Sequence, residues 1–378
     1  MNRVALAPCG DYAPENVVAA VREVLAPLGG IEAFVWPGAQ VLLKPNLLAG
    51  KASDKAVTTH PELLRAVIKA VRQAGGIPTV GDSPGIGTLR QVAKGCGVLA
   101  VLEEEKVELA PFTSPIEVAV DHGPFRRLEL AADLFEADCI INLPKLKTHQ
   151  MMGMTCGVKN LFGGVVGKRK IALHLQAGDD KTLFARLLLE IAERIAPCLT
   201  LVDAVTAMEG EGPGSGNPVA IGALLASRSP LAVDAAAIRL LGLPLSEVWT
   251  QQVALEDRRQ EADPNRLEIV GHSPETFRPD RFEPARSTEI HFGLPRFLRR
   301  HLKRWVTARP EVDLPRCVAC GLCVEHCPPQ AMTLVHGRLH IHDAQCIRCF
   351  CCQELCPHNA LKTTQGMLLK ILSRSEPK

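Results

Sequence analysis

The chain has 378 residues, which is enough for two or three domains. Hydrophobic residues make up 47% of it and charged residues 22%, close to globular averages, so wholesale disorder and collagen-like or coiled-coil structure are excluded. The net charge is only +2, so the protein as a whole does not attract the phosphate backbone of a nucleic acid. Aromatic residues are 4%, which leaves few side chains on which bases could stack. Apolar runs are too short for a membrane span or a signal peptide, and we therefore expect a cytoplasmic protein.

Residues 1–271 alternate short apolar runs with segments of helical spacing. This alternation predicts an α/β domain with a mainly parallel sheet and flanking helices. The predicted strands are residues 4–7, 41–43, 77–80, 139–141, 199–202 and 221–225. The predicted helices, in which apolar residues recur every three and four positions, are residues 61–73, 181–194 and 231–241.

Residues 272–312 are rich in proline and arginine, and we interpret them as a basic linker. Within this range, residues 296–304 place basic side chains around apolar ones. We interpret the segment either as a solvated helix packed on a domain, or as a docking surface for an acidic redox partner or an anionic surface. Residues 367–378 are predicted to form a charged C-terminal tail.

Cysteines concentrate near the C-terminus, where nine of the fourteen lie between Cys317 and Cys356. The pattern C-x2-C-x2-C-x3-C-P occurs there twice, beginning at Cys317 and at Cys346. Thiols this dense, in a chain with no evident export signal, favour metal over a disulfide framework. A zinc site is disfavoured because it takes four ligands grouped as two pairs, which neither copy supplies.

This region, residues 313–366, resembles the two-cluster bacterial ferredoxins, in which the fourth cysteine of each copy ligates the other cluster. The resemblance implies two 4Fe-4S clusters, which move one electron at a time. The ligands of cluster 1 would be Cys317, Cys320, Cys323 and Cys356. The ligands of cluster 2 would be Cys346, Cys349, Cys352 and Cys327. Cys351 is predicted to be a spare thiol near a cluster.

Polar and charged side chains follow four of the predicted strands. Because ligands bind outside the carboxyl ends of the strands in an open parallel sheet, we expect these side chains to share one pocket. The alternative is that they are the ordinary polar residues of surface loops. The candidate catalytic residues are His149, Asp82 and Lys145. The candidate substrate-binding residues are Lys44, Asn46, Lys147, Lys159, Asn160, Asp203 and Glu209.

The richest stretch is residues 143–164, whose lysines can bind an anion and whose glycines let the backbone approach a ligand. An anionic small molecule is therefore the predicted ligand. His149 is the candidate for proton transfer because histidine titrates near neutrality, and a helix-capping or core-bonded role is the alternative. The glycine-rich residues 209–218 are predicted to cover the site, with Glu209 or Asp203 facing the ligand or a divalent cation.

Six segments of the first 241 residues resemble the bacterial and archaeal family catalogued as domain of unknown function 362. They are KPNLL at 44–48, TTHPEL at 58–63, GDSPG at 81–85, LPKLKTH at 143–149, GVKNLFG at 157–163 and VDAVTAMEGEGPGSGNP at 202–218. Many members of that family carry a similar C-terminal ferredoxin module. The resemblance implies an α/β domain coupled to iron–sulfur clusters and names no substrate.

Two hypotheses about function follow. In the first, the protein is a reductase in which an external protein donates electrons to the clusters, and these reduce an anionic small molecule held by the lysines. In the second, the protein is a non-catalytic electron carrier or an iron–sulfur assembly or adaptor protein that docks a protein partner. A flavin or a divalent cation is compatible with either, although no flavin or nicotinamide fingerprint is present.

Overall fold

A mixed sheet of nine strands forms the centre of the α/β part of the computed structural model, which describes residues 2–120, 124–286 and 307–366. The strands of this part are β1 (Arg3–Pro8), β2 (Gln40–Pro45), β3 (Ile77–Val80), β4 (Pro115–Ala119), β5 (Arg127–Ala131), β6 (Cys139–Leu143), β7 (Lys145–His149), β8 (Gly153–Thr155), β9 (Leu199–Glu209), β10 (Asn217–Ser227) and β11 (Glu268–Gly271). Strands β4 and β5 pair with each other as a separate hairpin.

The sheet follows the order β11-β1-β10-β9-β6-β2-β3. The pairs β9/β6, β6/β2 and β2/β3 are parallel, whereas β10 runs antiparallel to both of its neighbours. Beyond the end of β6, β7 continues the chain, pairs parallel with the far half of β9 and turns back as β8. The carboxyl ends of β2, β3 and β6 therefore lie at one edge of the sheet, next to β7.

Ten helices of the described α/β part cover the sheet. They are α1 (Pro14–Leu25), α2 (Pro61–Gln73), α3 (Leu89–Gly95), α4 (Val98–Glu104), α5 (Asp133–Glu136), α6 (Gly157–Asn160), α7 (Arg169–Ala177), α8 (Lys181–Ile195), α9 (Pro230–Leu241) and α10 (Trp249–Glu256). No helix among the described residues combines the length and the apolar character that crossing a bilayer requires.

Both faces of the central strands are buried. On β2, Val41 and Leu43 pack in the apolar core with α1 and α2, and Leu42 packs in the core that contains α8. Alternate residues of a strand point to opposite faces, so a strand covered on both sides is apolar throughout. This explains why the sequence shows short continuous apolar runs at these strands.

The expected fold class is confirmed, and each predicted strand and helix has a counterpart in the structure. The main difference is β9, which was expected to end at Val202 and continues to Glu209. It continues because the later residues pair with β10 on one side, up to Glu209 opposite Asn217, and with β7 on the other. Asp203 thus lies inside a strand instead of after one.

Cys139 and Cys198 form a disulfide that links β6 to the residue preceding β9. The sequence analysis did not predict this pair, because the two residues are far apart in the chain and neither belongs to a spacing pattern. The other described cysteines are free thiols.

The C-terminal region is built from two small antiparallel sheets and two short helices. Strands β12 (Arg309–Val312) and β15 (Leu361–Thr364) form one sheet, and β13 (Met332–Val335) and β14 (Arg338–Ile341) form the other. The helices are Leu322–Glu325 and Cys351–Leu355, and we call the second one the covering helix. Residues 296–304 and the tail 367–378 lie outside the described residues.

The turn between β13 and β14 is a tight hairpin turn. Val335 pairs with Arg338, so the loop has two residues, His336 and Gly337, with φ angles of 49° and 73°. Two consecutive positive φ angles are typical of the tight hairpin turns whose twist matches that of the strands.

The hairpin of β7 and β8 provides a test of the fold. Gly153 has a φ of 83°, and a Cβ atom there would overlap the carbonyl oxygen of Glu247. We expect Gly153→Ala to lower the free energy of unfolding by more than about 1 kcal/mol, since the position is strained and has no space for a methyl group. Urea denaturation followed by tryptophan fluorescence measures the change.

The matched control for that test is Gly10→Ala, because a Cβ atom at Gly10 would meet nothing within 4 Å. We expect this variant to unfold at nearly the same urea concentration as the natural sequence. Equal destabilisation by the two substitutions would contradict the described path of the hairpin.

Candidate functional site

Four cysteines of the C-terminal region line one small cavity, and they are the four predicted to hold cluster 1. We call them the outer thiol set: Cys317, Cys320, Cys323 and Cys356. Cys320 is exposed and the other three are partly buried. Burial, and then the neighbouring Cys320, Cys356 and Cys317, raise the pKa of the Cys323 thiol to about 11. Crowded thiols of this kind become stable thiolates when positive iron lies between them.

The remaining ligand candidates form a second group, which we call the inner thiol set: Cys327, Cys346, Cys349 and Cys352. Three of them are buried, and Cys327 is partly buried. Burial, and then the charges of Cys349 and Cys346, raise the pKa of Cys352 well above its usual value. Cys327 comes from the first copy of the motif and the other three from the second, so the structure brings together the crossed ligands that the sequence predicted.

The fourth cysteine of each copy of the motif accepts the same kind of hydrogen bond from a backbone amide. The amide of Ala331 donates to Cys327 Sγ at 3.2 Å, and the amide of Ala360 donates to Cys356 Sγ at 3.3 Å. Among the described residues, no three His, Cys, Asp or Glu side chains come close enough to hold a single metal ion. Four cysteines in each set, with the fourth supplied by the other copy of the motif, are the ligands that 4Fe-4S clusters take in two-cluster ferredoxins, so the donor atoms fit such clusters.

A cavity of about 240 Å³ lies beside the carboxyl ends of β2 and β3. Six of the ten predicted catalytic and binding residues line it: Asn46, Asp82, Lys147, His149, Lys159 and Asn160. The other four, which do not line it, are Lys44, Lys145, Asp203 and Glu209. Pro213 of the glycine-rich loop also borders the cavity. Strand ends and loops that were separate in the sequence therefore meet at one site.

The C-terminal region supplies one wall of this cavity. Its contributions are His326, Cys351, Glu354 and Leu355, of which the last three belong to the covering helix. Cys351 is buried in the same apolar cluster as Met151 and Val158 of the α/β part. The cavity thus lies between the two parts of the chain, next to the inner thiol set.

Lys44 lies behind the cavity and forms a buried ion pair with Asp82, with Nζ 2.8 Å from Oδ1. The other oxygen of Asp82 accepts a hydrogen bond of 2.7 Å from the amide of Leu47. Lys44 lies near the end of β2 and Asp82 follows the end of β3, so the pair joins the ends of these two neighbouring strands. Because Asp82 accepts on both oxygens, its first role in the structure is to neutralise Lys44 and to fix this edge of the sheet.

Lys147 is held by oxygens of the α/β part. It donates to Asn46 Oδ1 at 3.0 Å and to the carbonyl of Val57 at 2.6 Å, while Asn46 donates to Asn160 Oδ1 at 2.9 Å. Burial is the main reason that the pKa of Lys147 falls to about 7. Two of its three N–H groups are used, which leaves one for a ligand.

The geometry around His149 defines which ring nitrogen carries the hydrogen. Nδ1 accepts from the amides of Met151 and Met152 at 3.1 and 3.2 Å, so the hydrogen lies on Nε2, which faces Glu354 Oε1 at 2.9 Å. Burial lowers the pKa of His149. Burial alone would raise the pKa of Glu354, but His149 and Lys159 lower it to about 2. A neutral imidazole therefore faces a carboxylate of the covering helix.

Lys145 and Asp203 belong to a separate polar network behind β7. Lys145 Nζ lies 3.0 Å from Asp203 Oδ2 and donates to the hydroxyl of Tyr12 at 2.7 Å. Tyr12 in turn donates to Asp203 Oδ1 at 2.7 Å. Glu209 is also engaged elsewhere, since its Oε2 accepts from the amide of Glu283 at 2.8 Å. These contacts connect α/β elements to one another and do not reach the cavity.

Two cavity residues, Lys170 and His174, were missed by the sequence analysis. Lys170 donates to the carbonyls of Ser83 and Pro84, and burial lowers its pKa to about 7. The ring of His174 stacks on Phe184 at 4.3 Å, and burial lowers its pKa to about 3. The two lie one turn apart on α7, so they share a face of that helix. This spacing was the signal that could have revealed them.

The fold and site define a class of protein in which an α/β domain is joined to a cysteine-rich module that forms one wall of its cavity. The chain belongs to the domain of unknown function 362 family, whose model matches residues 41–239. The model of a 4Fe-4S dicluster domain matches residues 309–357. Both resemblances seen in the sequence are thereby confirmed.

Among known proteins, the chain is similar to the thylakoid-associated protein sll1697 of Synechocystis sp. The two are 38% identical over 305 residues, which cover 80% of this chain and 94% of that protein. Among solved structures, it is similar to the lactate racemase apoprotein from Thermoanaerobacterium thermosaccharolyticum, with a TM-score of 0.41 and 14% identity. That similarity covers 64% of this chain and 57% of the other.

The ion pair of Lys44 with Asp82 can be tested by Asp82→Ala. We expect a loss of about 3–5 kcal/mol in the free energy of unfolding, since Lys44 would keep a buried charge without its partner. Urea denaturation measures the loss. The control is Glu268→Ala, which breaks an exposed pair with Arg3 and should change stability little because solvent screens it. Similar losses in both variants would contradict the structural role of Asp82.

The affinity for an anion should depend on pH. The pKa values of Lys147 and Lys170 are lowered to about 7, mainly by burial, so both are cationic below that pH and neutral above it. We expect the affinity for nitrate, whose charge is constant in this range, to fall roughly tenfold between pH 6 and 8. Isothermal titration calorimetry measures it. Lys170→Met should make the affinity for nitrate depend less on pH. An affinity that rises with pH would contradict the role of the two lysines in binding the anion.

Proposed function

We propose that the protein is a reductase that passes electrons from its 4Fe-4S clusters to an anionic small molecule bound in the cavity. The observation that carries this proposal is the shared wall. Residues Cys351, Glu354 and Leu355 of the covering helix line the cavity, and Cys352 of the inner thiol set lies on the same helix. A ligand in the cavity would therefore lie beside residues that hold a redox centre.

The charge of the cavity supports an anionic substrate. Its lining includes four lysines and two carboxylates: Lys147, Lys159, Lys168, Lys170, Asp82 and Glu354. Lys44 neutralises Asp82, whereas Glu354 faces the neutral ring of His149 and so offsets the charge of one of the four lysines. The net charge of the cavity lining is therefore positive. Lysine ammonium groups bind anions strongly in a site that is partly shielded from water.

Bound 4Fe-4S clusters supply one electron at a time, so two electrons and two protons would complete the two-electron reduction of an organic anion. The electrons come from an external reduced electron-transfer protein. The outer thiol set faces the surface at Cys320, and Leu314 and Val318 next to it are 58% and 60% exposed. This part of the surface is accessible to such a partner.

Protons for the reduction are available from the cavity lining. Lys147 and Lys170 exchange protons near neutral pH because their pKa values are about 7. Asp82 is suited to stabilise Lys44 more than to donate a proton. We propose the two lysines as the proton-carrying groups of the site. His149 is a neutral ring whose Nδ1 accepts from two amides, so we propose that it positions Glu354 instead of donating a proton.

The cellular location, the number of clusters and further cofactors belong to the same proposal. The cytoplasmic location expected from the sequence stays a prediction, and the name of the Synechocystis relative associates that protein with thylakoids. Two clusters, one per thiol set, is the number that the paired motifs support. Neither a flavin nor a divalent cation is needed for the proposed reaction.

The reductase proposal is tested by reoxidation of the reduced, cluster-loaded protein under anaerobic conditions. The oxidant is a small-molecule cell extract divided by anion exchange into a bound and an unbound fraction. We expect the bound fraction to restore the visible absorbance of the oxidised clusters, and Lys147→Met and Lys159→Met to slow this by at least about tenfold. The control is Lys69→Met, which alters an exposed lysine remote from the cavity.

The outcome also separates the reductase from the non-catalytic carrier or adaptor. If the anionic fraction reoxidises all variants at the same rate, or reoxidises none, the cavity is not the electron acceptor site. Reoxidation by a protein fraction alone, unaffected by the cavity substitutions, would favour the carrier.

A further inference from the structure

One lysine of the cavity, Lys159, has an ammonium group without a direct hydrogen-bond or ion-pair partner among the described residues, although the charge of Glu354 acts on it. Lys159 forms no hydrogen bond and no ion pair with any described residue, and its Nζ lies 4.7 Å from the centre of the Phe162 ring. By contrast, Lys44 and Lys145 have carboxylate partners, and Lys147 and Lys170 donate to protein oxygens. All three N–H groups of Lys159 are therefore available to a ligand.

His174 is the second group without a partner. It is 4% exposed, and Nδ1 of its ring is buried with no hydrogen bond. The ring is fixed by stacking on Phe184 and by an edge contact with Phe162 at 5.6 Å. Lys159 Nζ also lies over Phe162, so the ammonium group and the imidazole are held on the same aromatic side chain. A buried polar ring of this kind is stable only if something supplies the missing hydrogen bond.

Three backbone amides at the cavity, those of Ser83, Gly85 and Gly167, are engaged within the protein. Phosphate cradles use several free amide groups of a glycine-rich loop. Here the amide of Ser83 donates to the carbonyl of Gly163, and the amide of Gly85 donates to the carbonyl of Leu48. The amide of Gly167 donates to the Ser83 hydroxyl. These three amides are therefore not available to a ligand, and the cationic side chains of the cavity suit a small anionic group.

Part of the cavity lining is aliphatic and comes from both parts of the chain: Leu48, Ile86, Ile171 and Leu355. Such a surface gains free energy when it covers the apolar part of a ligand. A cavity with a small cationic end and an apolar wall fits an anion that has a hydrocarbon body.

From these contacts we propose that the substrate is an organic carboxylate, whose carboxylate group binds Lys159 and His174 and whose hydrocarbon part packs on the aliphatic wall. The proposal rests on the reductase function and names its substrate class. Lys159 supplies the charge and a hydrogen bond. His174, as a neutral ring, supplies a directional hydrogen bond that distinguishes a carboxylate from a halide or a bare apolar ligand.

The experiment measures equilibrium binding to the oxidised, cluster-loaded protein by isothermal titration calorimetry, so no turnover is required. The probes are hexanoate, acetate, hexanamide and inorganic phosphate. We expect hexanoate to bind most tightly, acetate to bind less tightly because it lacks the hydrocarbon chain, and hexanamide and phosphate to bind at least about tenfold more weakly than hexanoate.

The variants are Lys159→Met and His174→Phe, with Lys69→Met as the control. His174→Phe keeps an aromatic ring between Phe162 and Phe184 and removes only the nitrogen atoms, so folding should be preserved. We expect each of the two substitutions to weaken hexanoate binding by about tenfold and to leave the iron content unchanged. Because the probe series uses the natural sequence, it tests the proposal even if a variant does not fold.

Two results would overturn the carboxylate proposal. One is phosphate binding as tight as that of hexanoate, and the other is unchanged hexanoate affinity in both variants. Failure of the reductase function gives a different result, in which hexanoate binds as expected but no anion reoxidises the reduced protein. Conversely, reoxidation by an anion that carries no carboxylate group would support the reductase function and contradict the proposal that the substrate is a carboxylate.

Discussion

The burial of lysine ammonium groups at the strand ends is the constraint on which this structure depends. Lys44, Lys145 and Lys147 are at most 1% exposed. An isolated buried charge costs several kcal/mol, so each ammonium group requires oxygen partners from other elements. Asp82 and Asp203 meet this need for two of them, and carbonyl and amide oxygens meet it for Lys147. Polar contacts thus hold the edge of the sheet, and the loss of any of them would leave a buried charge without its partner.

The two parts of the chain are joined by contacts that are both apolar and polar. Cys349 and Cys351 pack into the large core, and Glu354 reaches the imidazole of His149. Lys51 of the α/β part adds hydrogen bonds of 2.6 Å to the carbonyl of Gly214 and 2.8 Å to Asn359 Oδ1. The glycine-rich loop is therefore clamped between the α/β part and the C-terminal region, which explains how one cavity can have walls from three distant segments.

Much of this architecture could be predicted from the sequence, because buried parallel strands and periodic cysteines leave strong local patterns. Helix α2 matches its predicted range, since Pro61 suits the first turn and apolar residues mark one face. Strand β7 was not predicted, because buried lysines contradict the usual distribution of charge. The contact of His149 with Glu354 could not be predicted either, since no local sequence pattern connects residues so distant in the chain. Lys170 and His174 were missed because the sequence of their short helix mixes polar and apolar residues, as the sequence of a solvent-exposed helix does.

The covering helix begins within the second cysteine motif and ends immediately before Cys356. Its residues thus lie between a ligand of the inner thiol set and a ligand of the outer set. If each thiol set holds a cluster, as proposed above, metal fixes the helix at both of its ends, as in other small domains that metal binding organises. Loss of either cluster would then free one end of the helix that carries Cys351, Glu354 and Leu355 and would loosen one wall of the cavity. Under the proposed function, the same loss that ends electron delivery would therefore also weaken ligand binding.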